Sequence, residues 1–206
     1  ITMNFILIDG SYYIFYRYHA LCVWWKLAKQ DDETEIPFEN ERFIEKYKET
    51  FVGKIHEIEK KLKIKDAITY VGKDCPRKNI WRNKNIDDYK GGRESCNHMK
   101  LFFDIAYNND NINGTETNLF TQAGCKRVIE ENNVEADDII ALTSKHILLK
   151  YPDAKIWIIT SDMDYLQLAC ENITLMNLKF KKLTDSKACF NDANKDLFCK
   201  IITGDK

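Results

Sequence analysis

The sequence has no long apolar run, no paired cysteine motif and no surplus of charge of either sign, and each absence excludes a class of protein. None of its 206 residues belongs to a run that approaches the roughly 20 apolar residues of a membrane-spanning helix. The short run FILI near the start lacks the length and the basic flank of a signal peptide. The seven cysteines are scattered without a C-x-x-C pair, which argues against a zinc site and a disulfide framework and for a reducing compartment.

The composition is that of a soluble globular chain. It is 44% hydrophobic and 31% charged, and the length is sufficient for one domain with a real core. The formal net charge of −1 neither demands nor excludes nucleic acid, because an acidic site and a basic groove cancel in the sum. No internal repeat or interdomain linker is evident, so we expect a single domain over residues 1–206.

Short apolar runs alternate with segments of helical periodicity. Strands are predicted within MNFILIDG (ending at Asp9), DAITYVG, CKRVIEE, AKIWIITSD and ITLMNL. Helices are predicted from Ser11, over residues 43–62, 135–150 and 192–204, with a short helix near DYLQLAC. Residues 74–122 are first basic and then rich in asparagine, and we interpret them as a long loop that carries function. This alternation predicts an α/β fold with a mainly parallel sheet flanked by helices.

The segment NNVEADDII has two competing explanations. Glu135, Asp137 and Asp138 open a predicted helix, and acids in a first turn are favoured by the helix macrodipole, each contributing roughly 0.3–1 kcal/mol. Alternatively, these carboxylates belong to a metal site. A single acid at the end of a strand is often only a turn former or a helix cap, so the choice depends on the other acids of the chain.

Acidic side chains follow the end of nearly every predicted strand. Because the carboxyl ends of parallel strands meet at one edge of a sheet, segments far apart in sequence would deliver their carboxylates to a single cleft. So many like charges require raised pKa values or bound cations, and oxygen ligands without His or Cys favour Mg²⁺ or Mn²⁺, here as a pair of ions. The candidate ligands are Asp9, Asp74, Glu135, Asp137, Asp138, Asp162, Asp164 and Asp205.

The order of several motifs resembles that of the 5′-nuclease family, which comprises 5′-3′ exonucleases, flap endonucleases and the N-terminal nuclease of DNA polymerase I. The motifs are LIDGSYYIFYRYHA, DYKGGRE, VEADDIIA, IITSDMDYLQL and IITGDK. The resemblance implies a PIN-like, Rossmann-like fold with a helical arch or mobile loop over the active site at about residues 76–122. It also implies a helix-hairpin-helix region, which we expect to be absent or truncated in a chain of this length.

The resemblance also implies roles for individual residues. Asp9, Asp74, Glu135 and Asp137 resemble the ligands of a first metal, whereas Asp162, Asp164 and Asp205 resemble those of a second, with Asp138 between the groups. Lys90 and Arg93 resemble the basic pair that grips the scissile phosphate, Arg82 is a further phosphate contact, and Tyr89 is placed to stack on a base.

The implied activity is hydrolysis of DNA by two divalent ions, leaving a 5′-phosphate and a 3′-hydroxyl. The expected substrates have a 5′ flap or a 5′ end, including RNA-primer hybrids, and the expected protein is an intracellular monomer acting in DNA replication and repair, in cytoplasm, nucleoid or nucleus. Three alternatives stay open: a PIN-type ribonuclease, a non-catalytic flap-binding protein, and a small-molecule phosphohydrolase. The last lacks the D-x-D expected at the first strand, because residue 11 is Ser11.

Overall fold

A computed structural model describes residues 2–28, 37–85, 97–112 and 115–204 of the chain. Its strands are β1 (Asn4–Asp9), β2 (Ile68–Gly72), β3 (Asp110–Ile112), β4 (Thr115–Thr117), β5 (Arg127–Ile129), β6 (Lys155–Ile159) and β7 (Ile173–Met176). Its helices are α1 (Gly10–Ala28), α2 (Glu41–Leu62), α3 (Asn97–Tyr107), α4 (Leu119–Gln122), α5 (Ala136–Lys150) and α6 (Ala193–Thr203). Short 3₁₀ turns include Trp81–Lys84 and Met163–Leu168.

Five strands form one parallel sheet in the order β5-β2-β1-β6-β7, and β3 pairs with β4 in a separate antiparallel hairpin. The α/β prediction with a parallel sheet is therefore confirmed. The central strand β1 is buried on both faces: Ile6 and Ile8 face one apolar cluster, and Phe5 and Leu7 face the other. Such two-sided burial explains why the sequence of β1 is a continuous apolar run rather than an alternating one.

Helices α1 to α4 cover one face of the sheet. Their contacts are dominated by aromatic rings, among them Tyr13 packed edge-on against Phe51 and Tyr47 against Phe102. The predicted stripe of α2 supplies much of this layer, and its residues Phe43, Tyr47 and Phe51 have no exposed surface. Helix α5 and the turn Met163–Leu168 cover the opposite face, so the sheet is the middle of three layers.

Two regions differ from the sequence-based prediction. The interpretation of residues 74–122 as a loop missed α3, which buries Met99, Phe102 and Ala106 in the aromatic core. Part of the expected arch over residues 76–122 falls at residues 86–96 and 113–114, outside the described residues. The final predicted helix is present as α6, but its apolar side chains remain largely exposed, Phe198 by 62% and Ile201 by 71%.

In the part of the chain that the structure describes, no helix combines the length and the apolar character that crossing a membrane requires.

Candidate metal centre at the carboxyl edge of the sheet

The register of the sheet places Asp9 at its carboxyl edge. Asp9 is the last residue of β1, opposite Gly72 of β2, and the preceding Ile8 pairs with the last residue of β6, Ile159. One carboxylate oxygen of Asp9 accepts a hydrogen bond from the backbone N–H of Tyr12 at 3.0 Å. The other lies 3.3 Å from the Thr160 hydroxyl and 3.4 Å from that of Tyr165. Asp9 is therefore held in place from three elements.

The backbone segments of α1, β2 and α5 lie unusually close to one another next to Asp9. A Cβ atom on Gly10 would collide with the Tyr107 hydroxyl and would lie 2.7 Å from the Gly72 carbonyl oxygen. A Cβ atom on Gly72 would lie 3.0 Å from the Ala136 carbonyl oxygen at the start of α5. The absence of side chains at Gly10 and Gly72 thus lets α1, β2 and α5 converge at the edge.

Asp74 joins two helix starts. One of its oxygens accepts the backbone N–H of Ala136, the first residue of α5, at 2.8 Å, and the other accepts the Ser11 hydroxyl at 2.5 Å. Asp74 therefore caps α5 from a different segment of the chain. The structure brings it to the same edge as Asp9.

Three carboxylates gather at the start of α5. One oxygen from each of Glu135, Asp137 and Asp138 lies within 4.8 Å of the others. Glu135 occupies the N-cap position, yet its side chain makes no capping hydrogen bond and the residue is only 4% exposed. Because that cap is supplied by Asp74, helix-end electrostatics alone does not explain a buried Glu135.

The guanidinium of Arg82 covers this group. Its two terminal nitrogens bind the two Asp138 oxygens at 2.9 and 2.8 Å, one of them also makes a very short contact with Glu135, and Asp137 lies 4.0 Å away. The ring of Trp81 lies 4.9 Å from the guanidinium carbon and its indole N–H donates to Asp138 at 3.3 Å. Arg82 is thus a fixed counter-ion to the group.

Asp162 and Asp164 follow β6. Asp162 caps the turn Met163–Leu168 by accepting the Asp164 backbone N–H at 2.9 Å, and its own N–H donates to the Thr160 hydroxyl at 3.2 Å. Asp164 forms an ion pair at 2.8 Å with Lys200, which comes from α6. The second set of predicted ligands therefore also carries a basic partner from a distant element.

The pKa values of two carboxyl groups are raised by burial and, to a smaller extent, by neighbouring negative charges. Burial raises the pKa of Asp9 to about 6, with further rises from the Asp74 and Asp162 carboxylates. Burial also raises the pKa of Asp137 to about 6, followed by the charges of Asp138 and Glu135, and Arg82 opposes the rise. Although burial alone would lower the pKa of Arg82, the surrounding carboxylates raise it above its usual value.

The donor chemistry fits a hard divalent cation. The group at the start of α5 consists of carboxylates alone, which favour Mg²⁺ or Mn²⁺ over softer metals. The raised pKa values of Asp9 and Asp137 follow first from burial and then from neighbouring carboxylates, and a bound cation would oppose both effects.

The structure gathers most, but not all, of the predicted site residues. Among the described residues, only Glu135, Asp137 and Asp138 form a group with oxygens this close; Asp9, Asp74, Asp162 and Asp164 lie at the same sheet edge without joining it. Asp205, Tyr89, Lys90 and Arg93 lie outside the described residues.

Several residues around the site were missed from the sequence. Thr160 and Tyr165 contact Asp9, Ser11 contacts Asp74, and Lys200 pairs with Asp164. Thr160 and Tyr165 flank Asp162 and Asp164 in the motif TSDMDY, so their position beside those acids could have identified them as site residues. Lys200 could not be identified from the sequence, because its ion pair with Asp164 depends on where α6 packs.

Comparisons with known proteins agree with this fold. Residues 4–194 match the family described as 5′-3′ exonuclease, N-terminal resolvase-like domain. The structure is similar to the bacteriophage T5 5′-exonuclease with bound divalent metal ions (zinc), at a TM-score of 0.62 and 18% identity, covering 98% of this chain and 67% of that chain. No curated protein sequence matches the chain.

Two further T5 structures are similar. One was co-crystallised with metal ions and matches at a TM-score of 0.60 and 18% identity, covering 98% of this chain and 66% of that one. The other is a flap endonuclease in a pseudo-enzyme–product complex with DNA and metal ions, at a TM-score of 0.59 and 17% identity, with coverage of 98% and 66%. This chain therefore spans about two thirds of these proteins, and identities this low show a shared fold.

Proposed function

Because the chain belongs to the family of 5′-3′ exonuclease N-terminal, resolvase-like domains, we propose that it is a divalent-metal-dependent 5′-3′ exonuclease or flap endonuclease acting on DNA. The observation that carries this proposal is the nearly buried Glu135 grouped with Asp137 and Asp138, at the edge where Asp9 and Asp74 also lie. A helix start selected only for its dipole would not need a buried glutamate that caps nothing.

The proposed ligand sets are those implied by the family motifs. Asp9, Asp74, Glu135 and Asp137 would hold one ion, Asp162, Asp164 and Asp205 a second, with Asp138 between them. Two such ions, when bound, supply an activated water and stabilise the leaving oxygen of a phosphodiester.

The basic residues have a complementary role in this proposal. Arg82 is positioned by Trp81 beside the carboxylates, and a substrate phosphate arriving there would offer it the same bidentate oxygen geometry. Lys90 and Arg93 are proposed to neutralise charge that develops on the phosphate oxygens, and Tyr89 to stack on a base. The products would carry a 5′-phosphate and a 3′-hydroxyl.

The finer points of the proposal concern substrate and setting. We propose Mg²⁺ or Mn²⁺ as the two ions, and DNA with a 5′ flap or 5′ end, including RNA-primer hybrids, as the substrate. The proposed form is a monomer in a reducing intracellular compartment, acting in DNA replication and repair. Residues 76–122 are proposed to contain the arch that holds the single strand.

Cleavage of a labelled 5′-flap duplex tests the reaction. We expect cutting with Mg²⁺ or Mn²⁺, none with chelator, and a rate at least roughly 100-fold lower for Asp137→Asn, as for other electrostatic groups of an active site. Asp153→Asn is the matched control, because Asp153 is an exposed aspartate before β6 at the opposite edge of the sheet.

Three other outcomes of the cleavage assay would contradict the proposal or support one of the alternatives. Equal cutting in chelator contradicts the metal-dependent reaction. Faster cutting of a matched RNA flap supports the ribonuclease alternative, and binding of the duplex without cutting supports the non-catalytic one.

A further inference from the structure

A lysine-rich turn follows β7 at the same sheet edge as the carboxylates. We define the basic turn as residues 177–182, with the sequence NLKFKK, in which Lys179, Lys181 and Lys182 are exposed. Among the described residues, none of these three ammonium groups has an ion-pair partner. By contrast, Lys46 and Lys54 of α2 pair with nearby glutamates at 2.8 and 3.0 Å.

The backbone of the basic turn is rigidly held. The Asn177 side-chain oxygen accepts the N–H groups of Lys179 and Lys181 at 3.0 and 3.1 Å, and the Asn177 N–H donates to the Lys181 carbonyl at 3.0 Å. The N–H of the fully buried Leu178 donates to the Tyr12 hydroxyl on α1 at 3.0 Å. The turn thus presents its lysines from a fixed base and not from a loose loop.

A groove extends from the basic turn to the two chain neighbours of Asp162. It has a volume of about 560 Å³, and Lys181, Lys182 and Phe180 lie on it together with Ser161 and Met163. Ser161 and Met163 are the two chain neighbours of Asp162, one of the predicted metal ligands. The groove therefore connects Lys181 and Lys182 to the chain neighbours of Asp162, and Asp185 is an acidic residue on the same lining.

We propose that the basic turn binds the phosphate backbone of the nucleic acid whose scissile phosphate lies at the carboxylates. This inference rests on the proposed function and adds a contact surface for the strand next to the cleaved bond. A polyanion that approaches a cluster of carboxylates is repelled. Three exposed lysines, of which Lys181 and Lys182 line the groove, offset that repulsion by contacting phosphates and not base edges.

The lysines of the basic turn also have an explanation that involves no ligand. β7 is an edge strand of the sheet, and exposed lysines are a common protection of edges against pairing with another chain. On that alternative the lysines have no effect on nucleic-acid binding.

Charge reversal of the basic turn separates the two explanations. The test variant is Lys179→Glu, Lys181→Glu and Lys182→Glu, and the control is Lys60→Glu, Lys61→Glu and Lys65→Glu. The control lysines are equally exposed but lie near the start of β2, at the opposite edge of the sheet. Both variants change the net charge by the same amount, so any general effect of charge is matched.

The probe is a fluorescent 5′-flap DNA duplex, measured by anisotropy in chelator at several KCl concentrations. We expect the test variant to bind at least roughly 10-fold more weakly than wild type, and its salt slope to fall by roughly 0.7–0.9 for each phosphate that its side chains no longer neutralise. The control should keep the wild-type slope. A test variant that binds like the control overturns the proposal.

Two accompanying measurements keep the result interpretable. Circular dichroism melting verifies folding, and if the triple variant does not fold, Lys181→Gln alone is compared with Lys61→Gln by the same slope. Flap cleavage by wild type with Mn²⁺ distinguishes failure of this inference from failure of the proposed function. If wild type cuts and the test variant binds DNA as wild type does, only the binding role of the basic turn is refuted. Wild type that neither binds nor cuts the duplex refutes both the proposed function and this inference.

Discussion

Replacing Arg82 by glutamine should destabilise the protein in chelator. Arg82 makes two hydrogen bonds to Asp138 and one to Glu135, and the Arg82 and Glu135 side chains are 20% and 5% exposed. Removing one member of a buried ion pair costs roughly 3–5 kcal/mol. Because Arg82 keeps some contact with solvent, we expect a loss of about 2–3 kcal/mol, or roughly 4–12 °C in Tm for a domain of this size.

The same substitution should increase the response to a divalent cation. Arg82 opposes the rise in the Asp137 pKa, so glutamine at position 82 leaves the three carboxylates with less compensating charge. Mn²⁺ at 100 times its Kd stabilises a protein by roughly 2.7 kcal/mol, and we expect its tighter binding by Arg82→Gln to restore most of the decrease in Tm. Wild type, in which Arg82 already occupies the same oxygens, should gain less.

Thermal melts in chelator and in a Mn²⁺ titration measure both effects. Lys84→Gln is the matched control, since Lys84 is an exposed cation on the same 3₁₀ turn, and a surface change of this kind alters stability by about 0.5 kcal/mol or less. Arg82→Lys, which keeps the charge but removes the bidentate geometry, should fall between them. If Arg82→Gln and Lys84→Gln melt alike in chelator and gain equally from Mn²⁺, Arg82 is not the counter-ion of the site.

Two further substitutions test the geometry of the edge. Gly10→Ala should lower Tm by several degrees, because its Cβ would collide with Tyr107 and press on the Gly72 carbonyl; Gly53→Ala on exposed α2 surface, where a Cβ meets nothing within 4 Å, should be neutral or raise it. Equal melting of the two would refute the close approach. In chelator, wild type should lose stability as pH rises from about 4 to about 6, since the raised pKa values of Asp9 and Asp137 make their charged forms unfavourable in the folded state. Asp9→Asn should make this profile shallower, because only the Asp137 contribution remains. The variant should be up to about 3 kcal/mol more stable than wild type at pH 7 and should not cut; an unchanged pH profile would contradict the assigned burial of charge.

The parts of the fold with strong local patterns could be predicted from the sequence. β1 is a continuous apolar run that ends at Asp9, and α2 repeats its apolar residues at helical spacing, so both were found with nearly correct bounds. Helix α3 was missed although Met99, Phe102 and Ala106 follow helical spacing, because the polar segments around them dominated the composition. Helix α6 was found, but periodicity cannot tell whether an apolar face is covered, and here most of it is exposed.

The candidate site was predictable at the level of strand ends and not at the level of side-chain pairing. The parallel sheet rule placed Asp9, Asp74 and Glu135 at one edge. The pairing of Arg82 with Asp138, 56 positions apart, depends on how the turn Trp81–Lys84 folds back onto α5. No local pattern encodes such a pairing, because it follows from tertiary packing.

Asp74 carries a consequence for how mutants of this protein can be interpreted. Its two oxygens hold the first backbone N–H of α5 and the hydroxyl at the start of α1, so one side chain fastens two helices as well as facing the site. An inactive Asp74→Ala variant would therefore be ambiguous between impaired chemistry and a displaced α5. The Asp137 carboxylate, by contrast, accepts its hydrogen bond from the adjacent Asp138 N–H, so it can be changed with less effect on the scaffold. Asp137 is the cleaner position at which to separate reactivity from architecture.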